Sequence, residues 1–202
     1  MPKLVDHTQR RREITDAIRR VIARGGLEAA TFQTVAAEAG ISVRLVQYYF
    51  GNKREFLLAT HLAVVEDAGK RMAAALFALG DGAAPREVLR AIITQLLPLD
   101  EERRQQVVIF AAYHAASLAG SPITGDDNAG AALWLVDACA EQLRRQLELD
   151  PASTVSPELD GELVAGTVAG LSGAMVQQPA RYTPDVALGL VDRLLDRILG
   201  AG

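Results

Sequence analysis

Arg44, Gln47, Tyr48 and Tyr49, with Lys53 close behind, are the side chains of this sequence best suited to chemistry, and that chemistry is recognition of DNA. Arginine makes two parallel bonds to a guanine edge, and glutamine does the same to adenine. Tyrosine offers a hydroxyl to a phosphate and a ring face to a thymine methyl. Lys53 can add a charge-assisted bond to a phosphate. Arg44, Gln47 and Tyr48 recur at i, i+3 and i+4, which sets them along one side of a helix, while Val46 and Phe50 take the other.

Other chemistries find no support. Histidines 7, 61 and 114 are far apart and carry no metal-ligand spacing. Glu101-Glu102 and Asp126-Asp127 are adjacent pairs, which diverge on a helix and more naturally place negative charge near helix N-termini. There is no P-loop, dinucleotide fingerprint or nucleophile elbow. The expectation is a protein that is not an enzyme, with no catalytic residue, metal or cofactor.

The elements that must position the recognition side chains are legible on either side of them. Thr31 can cap a helix in which Phe32, Val35, Ala36 and Ala39 share one face. Gly40 stands where that helix must stop, and glycine tolerates the left-handed conformation of such a position. Ile41 is the apolar residue of the turn, and Ser42 can cap a second helix from about Val43 to Tyr49. Asn52 and Glu55 form a capping box for the next. Upstream, Ile14, Ala17, Ile18, Val21 and Ile22 keep helical spacing until Gly25-Gly26. Two short helices around a tight turn let one helix enter the DNA major groove. The plainer alternative is a pair of short helices in an α-helical core.

Charge favours the first reading. Residues 1–55 carry ten Lys/Arg against six Asp/Glu, a net of +4, and the remainder carries eleven against nineteen, a net of −8, for −4 in all. Arg10, Arg11, Arg12, Arg19, Arg20 and Arg24 decorate the first helix. A basic end on an acidic body suits a chain whose one end meets phosphates. A solvated arginine-rich helix is the alternative.

The rest reads as helices near 53–79, 86–97, 101–119, 127–149, 158–178 and 184–199, separated by Gly- and Pro-containing breaks. No strand signal is present. The fold class is therefore all-α: an N-terminal three-helix helix-turn-helix DNA-binding domain, residues 1–52, and a C-terminal helical ligand-binding and dimerisation domain, residues 53–202. With 202 residues, half of them hydrophobic, the chain can build a substantial core. The single cysteine, Cys139, excludes an internal disulfide and fits a reducing cytoplasm. It shares a helical pattern with Trp134, Leu135 and Ala138, so a buried structural thiol is favoured over a redox sensor. The uncharged run from Leu163 to Val176, fourteen residues, is too short to span a bilayer.

With these residues in view, the chain resembles the TetR (tetracycline-repressor) family of bacterial regulators. The likeness rests on the first helix, the Gly-Gly break, the run from Thr31 to Ser42, and Tyr48-Tyr49-Phe50-x-Asn52-Lys53-x-x-Phe56. It covers roughly residues 8–60. It implies base reading by the third helix, and backbone contacts by the aromatic pair and the lysine. Those roles would fall on Arg44, Gln47, Tyr48, Tyr49 and Lys53, with Thr31, Thr34 and Ser42 as phosphate contacts. Tyr49 stands where histidine is frequent in the family and Gln47 where tyrosine is frequent, which leaves the target sequence open. A weaker resemblance, in Leu97–Gln105 and Gln178–Leu195, is to the choline-regulator (BetI-like) branch; it does not name the ligand.

The family resemblance also implies a pocket among the middle helices. Phe110, Tyr113 and His114 lie close together on one helix, Trp134 and Asp137 on the next, and Met175 on the penultimate, so apolar walls with a few polar tips could line it. Core aromatics, with His114 bound to a backbone carbonyl, are the alternative. Gly166, Gly170 and Gly173 crowd one helix, and Leu190, Leu194 and Ile198 (with Val186) follow helical spacing on the last. Paired across a two-fold axis, these would make a homodimer through a four-helix bundle; packing within one subunit is the alternative. Two recognition helices about 34–36 Å apart would read a palindromic operator.

The functional expectation is a cytoplasmic, ligand-responsive regulator, a repressor before an activator or a regulator controlled by a protein partner. Its partners would be double-stranded DNA, a small-molecule effector and a second copy of itself, with no membrane. The effector would act by shifting the helix after Asn52 and with it the recognition helices. The rival from another class is a helical small-molecule-binding or interaction module without specific DNA binding.

Overall fold

The computed structural model describes residues 6–119 and 125–200, with the backbone alone for 125–132. Among them are nine helices and no strand: α1 (His7–Ala29), α2 (Phe32–Ala39), α3 (Val43–Phe50), α4 (Lys53–Leu79), α5 (Pro85–Leu96), α6 (Glu101–Leu118), α7 (Gly125–Leu149), α8 (Pro157–Gln177) and α9 (Pro184–Leu199). The all-α expectation holds, and the six later helices fall within two residues of the expected limits.

The chain packs as two compact units. The first runs through Glu66 and takes up the chain again from Val108 to Asn128; the second holds Asp67–Val107 and the chain from Ala129 onward. The boundary expected between residues 52 and 53 falls at the head of α4, whereas the first unit continues to Glu66. The reason lies in its core. Ile14, Ile18, Val35, Val46 and Phe50 of α1–α3 pack in one cluster with Phe56, Leu57 and Val64 of α4 and Ile109 and Tyr113 of α6. The core of the first three helices is completed by α4 and α6, so the compact unit extends past residue 52.

Local chemistry sets each end in this unit. Asp6 caps α1 by accepting from the N–H groups of Thr8 and Gln9 at 3.0 and 3.1 Å. Gly26, at φ 73°, breaks α1 and leaves a last short turn before α2. Gly40 adopts φ 65°, ψ 34°, and its N–H reaches the carbonyls of Ala36 and Ala37. A side chain is strained there, which is why glycine stands at this stop. Ser42 accepts from Leu45 N–H at 3.2 Å and starts α3 in a new direction. Phe50 is buried beneath α3. Its truncation to alanine would cost roughly 3–5 kcal/mol, a large share of a domain's stability.

The second unit has its own core, with Leu89, Ile92 and Ile93 of α5, Cys139 and Leu143 of α7, Val164 and Val168 of α8, and Val191 and Leu195 of α9. Two ion pairs join α5 to α9 in antiparallel order: Arg86 with Asp196 at 2.6 Å and Arg90 with Asp192 at 2.6 Å. Gly161 marks the close approach of α8 to α7, because a Cβ there would sit 3.2 Å from the carbonyl oxygen of Val136.

Candidate nucleic-acid interface

The exposed side of α3 carries Arg44, Gln47 and Tyr48, one turn apart, with Val46 and Phe50 buried on the opposite side. Tyr48 is 72% exposed, so its ring and hydroxyl are open to a ligand on this side of α3. Its ring stands edge-on to that of Tyr49, with centroids 5.3 Å apart. Tyr49 is half-buried, and its hydroxyl lies 3.0 Å from Nδ1 of His7.

The three hydroxyl residues assigned to phosphates are all engaged as caps. Thr31 Oγ1 accepts from Thr34 N–H at 3.1 Å, Thr34 Oγ1 accepts from Thr31 N–H at 2.9 Å, and Thr34 Oγ1 donates to the carbonyl of Ala29 at 2.6 Å. Thr34, not a glutamate or glutamine, closes this capping box. The Ser42 oxygen is spent on Leu45 N–H, but its own O–H stays available to donate. At the head of α4 half of the expected capping box is present: Asn52 Oδ1 accepts from Glu55 N–H at 2.9 Å, but Glu55 returns through the side chain, its Oε1 accepting from Asn52 Nδ2 at 2.6 Å, while the Asn52 backbone N–H donates to the carbonyl of Phe50. Lys53, in the same turn, pairs with Glu28 at 3.6 Å.

The arginines of α1 divide between two tasks. Arg20 and Arg24 both grip Glu38 of α2, and their hydrogen bonds hold its carboxyl below the usual carboxylate range. Arg10 pairs with Glu13 and Arg19 with Asp16. Arg11 reaches α3 instead. Its Nη1 donates to the carbonyl of Tyr49 at 2.9 Å, and its guanidinium lies 4.6 Å over the ring of Phe50. The basic count of the first helix therefore overstates the charge offered to phosphates, because much of it fixes α1 to α2 and α3.

The residues expected to line a pocket are placed as follows. In the first unit Tyr113 is fully buried, and its hydroxyl donates to the carbonyl of Leu57 at 2.6 Å. Burial raises that phenol's pKa. Phe110 and Tyr113 both pack against His61, with centroids 5.7 and 4.9 Å from it. His114 is exposed, against the expectation that it would point inward with them. The buried histidine of this unit is His61, which sequence reasoning passed over. Its signal was present: with Leu57, Thr60 and Val64 it follows one helical face. In the second unit Met175 is a core residue, and Trp134 and Asp137 are exposed.

The residues assigned to dimerisation split. Gly166 and Gly170 are exposed, and a Cβ on either would meet no atom of the chain. Gly173 is half-buried, with Gln177 alone near its Cβ position at 3.9 Å. Leu190 is exposed, Leu194 is half-buried against the core, and Ile198 lies inside it. Ile198 is thus a core residue of its own subunit, because α9 turns that side toward α5 and α8. No group of residues able to hold a metal ion, and no helix long and apolar enough to cross a membrane, occurs among the described residues.

Comparison with known proteins matches this arrangement at both ends. Residues 14–60 match the family described as bacterial regulatory proteins, tetR family. Residues 85–200, more than half of the chain, match the BetI-type transcriptional repressor C-terminal domain. The chain is 29% identical over 185 residues to the HTH-type transcriptional regulator BetI of Rhizobium meliloti, covering 91% of this chain and 85% of that one. Other curated regulators match over only about half of their own length. Among solved structures, a transcriptional regulator from Rhodococcus superposes with a TM-score of 0.80 at 26% identity, covering 94% of this chain and 95% of that one. A regulator from Saccharomonospora viridis, solved with choline, gives a TM-score of 0.84 at 20% identity, covering 94% and 96%, and shares the fold.

Proposed function

Because the chain belongs to the tetR family of bacterial regulatory proteins, we propose that it is a ligand-responsive repressor which binds a palindromic operator as a homodimer. The observation that carries this reading is α3. It is capped at its head by Ser42, anchored by buried Val46 and Phe50, and left with Arg44, Gln47 and Tyr48 on its open side. A scaffold this fixed presents base-reading groups at low entropic cost, which is what direct readout in the major groove requires.

Arg44 and Gln47 read base edges. Tyr48, Tyr49 and Lys53 hold the phosphate backbone, assisted by the O–H of Ser42. Thr31 and Thr34 set the start of α2, so their N-terminal turn can offer backbone N–H groups to an anion. Two copies, paired through the outer sides of α8 and α9, present two such helices to half-sites one turn apart. The protein acts in the bacterial cytoplasm, where its operator is.

Release follows from a population shift. A small-molecule effector lowers operator affinity only if it binds the DNA-incompetent state more tightly, and a full reversal needs ~10⁴-fold discrimination. The effector is expected to meet the BetI-type part of the chain. Choline, present in one structural neighbour, is a reasonable first probe.

The test is titration of the protein against DNA from upstream of its own gene and against a scrambled duplex, over a salt series. Saturation at a palindrome by two protomers, far above scrambled DNA, supports the reading. Equal affinity for both duplexes, lost together as salt rises, would count against an operator there. Effector candidates are then scored by loss of the specific complex.

A further inference from the structure

We propose that His7 is a positioning residue for DNA binding, holding the Tyr49 phenol so that it donates its own O–H to a phosphate. The proposal rests on the reading of α3 as the recognition helix. It starts from a contact made across 42 residues of chain. His7 Nδ1 and Tyr49 Oη lie 3.0 Å apart, with ring centroids at 5.9 Å. One turn further along α1, Arg11 donates to the carbonyl of the same Tyr49. The first two turns of α1 thus grip both the side chain and the backbone of one recognition-helix residue. Asp6, which caps that end of α1, keeps His7 and Arg11 in register on it.

The direction of the His7–Tyr49 bond decides what Tyr49 can do. A phenol has one proton to donate and two lone pairs to accept with. If the imidazole Nδ1 accepts, the phenol proton is spent inside the protein and a phosphate meets only lone pairs. If Nδ1–H donates, the phenol accepts it and keeps its proton for the phosphate. A phosphate diester accepts and cannot donate, so its approach selects the second arrangement. The resulting chain runs from Nδ1–H to the phenol oxygen and from the phenol O–H to the phosphate, each bond polarising the next. His7 meanwhile fixes the swing of a ring that Tyr48 touches only edge-on.

A double-mutant cycle tests this on the full chain. The variants are His7→Leu, His7→Asn, Tyr49→Phe and the pair His7→Leu/Tyr49→Phe. Affinity is read by fluorescence anisotropy on two duplexes of roughly 40 base pairs, long enough for half-sites one turn apart with flanks. One comes from upstream of the gene and the other is its scrambled form. Thermal melts check folding.

His7→Leu should weaken both duplexes alike, by roughly 3- to 10-fold, the usual range for one hydrogen bond. Tyr49→Phe should lose as much, and the pair should lose no more than either alone. His7→Asn should recover most of the loss, since its amide nitrogen donates from the place of Nδ1. The proposal is overturned if His7→Leu keeps wild-type affinity, if the two losses add, or if asparagine and leucine lose equally while the melts stay unchanged. Its failure is separable from failure of the repressor reading. A wild type that binds both duplexes alike counts against the operator but leaves the cycle readable, because a phosphate contact acts on any sequence. No binding to either at about 50 mM salt overturns both.

Discussion

Lys53 Nζ stands 3.6 Å from a carboxylate oxygen of Glu28, whose side chain is 92% exposed. Glu28 is in the turn between the Gly26 break and α2, so a residue outside the recognition helix occupies the ammonium that a phosphate would take. In solvent this pair contributes little to stability. Its effect should appear on DNA binding, where the carboxylate competes with phosphate and adds repulsion. Glu28→Gln is expected to tighten binding to every duplex by a few fold, with the folded state unmoved. Equal affinity in wild type and variant would show that Glu28 swings clear at no cost.

Lys53→Ala should weaken binding to all sequences alike and reduce the slope of log K against log salt by about one unit. The loss should be larger when Glu28 is already glutamine, because the ammonium is then free for phosphate. A salt series on the four proteins of this cycle measures that coupling directly.

Arg44→Ala should behave differently from Lys53→Ala. A guanidinium reading one base edge specifies that position, so its removal costs roughly 1–3 kcal/mol there and relaxes preference among the bases. Selection of bound duplexes from a randomised pool, compared with wild type, would locate the position. Equal weakening on operator and random DNA would move Arg44 from base reading to backbone contact.

How much of this was legible in the sequence depends on whether the cause was local. Caps and breakers act within a few residues, so Gly40, Ser42, Asn52, Pro157 and Pro184 placed helix ends closely. The amphipathic pattern around Val46 and Phe50 likewise exposed Arg44, Gln47 and Tyr48 without knowledge of the tertiary fold. Pairings between distant segments were hidden. Nothing in the residue types links His7 to Tyr49, Glu28 to Lys53, or Glu38 to Arg20 and Arg24. The glycines show the same limit. Gly161, Gly166 and Gly170 look alike in the chain, yet only the first meets a neighbouring helix in its own subunit. His114 was expected inside and His61 was passed over, yet it is His61 that is buried and His114 that is exposed.

Asp192 should make stability depend on pH in a defined direction. The hydrogen bond from Arg90 holds its carboxyl below the usual aspartate value, more strongly than partial burial raises it. A carboxylate whose folded pKa is depressed stabilises the fold above its unfolded pKa, about 3.9, and loses that contribution as pH falls through the folded value. Both side chains are substantially exposed, so solvent screening limits the gain to about 0.5 kcal/mol. Asp192→Asn should therefore lower the melting temperature slightly at neutral pH, and the gap should close at strongly acidic pH. A gap that grew on acidification would have the wrong sign for this pair.

Cys139 should be inert in the folded protein. It is fully buried between α7 and its neighbours, and burial pushes its thiol up to about 12. The thiolate is the reactive form, so near pH 8 acid–base chemistry alone slows labelling by on the order of 10³-fold against an unfolded chain. Ellman's reagent with and without denaturant measures the ratio. Fast labelling of the folded protein would mean that this core opens readily.

The outer side of α8 and α9 leaves a run of small and apolar residues exposed, against which a second copy could pack. Leu159, Leu163, Gly166 and Gly170 follow one another along α8 at intervals of four, three and four residues, all exposed, and Val186, Gly189 and Leu190 are exposed on α9. A glycine inside a helix costs ~1 kcal/mol against alanine. At Gly170 that cost brings no closer packing within the subunit, since a Cβ there would meet nothing. Gly170→Ala therefore separates two cases by sign. If the side faces solvent, alanine raises the melting temperature through helix propensity and leaves the mass in solution unchanged. If a partner's backbone lies against Gly170, alanine holds the helices apart and weakens the dimer, and Leu190→Glu, which would bury a charge there, should dissociate it. Light scattering on the two variants, with anisotropy on the upstream duplex, should show monomer formation and loss of operator binding together. Dimers of unchanged strength in both would place the subunit contact elsewhere.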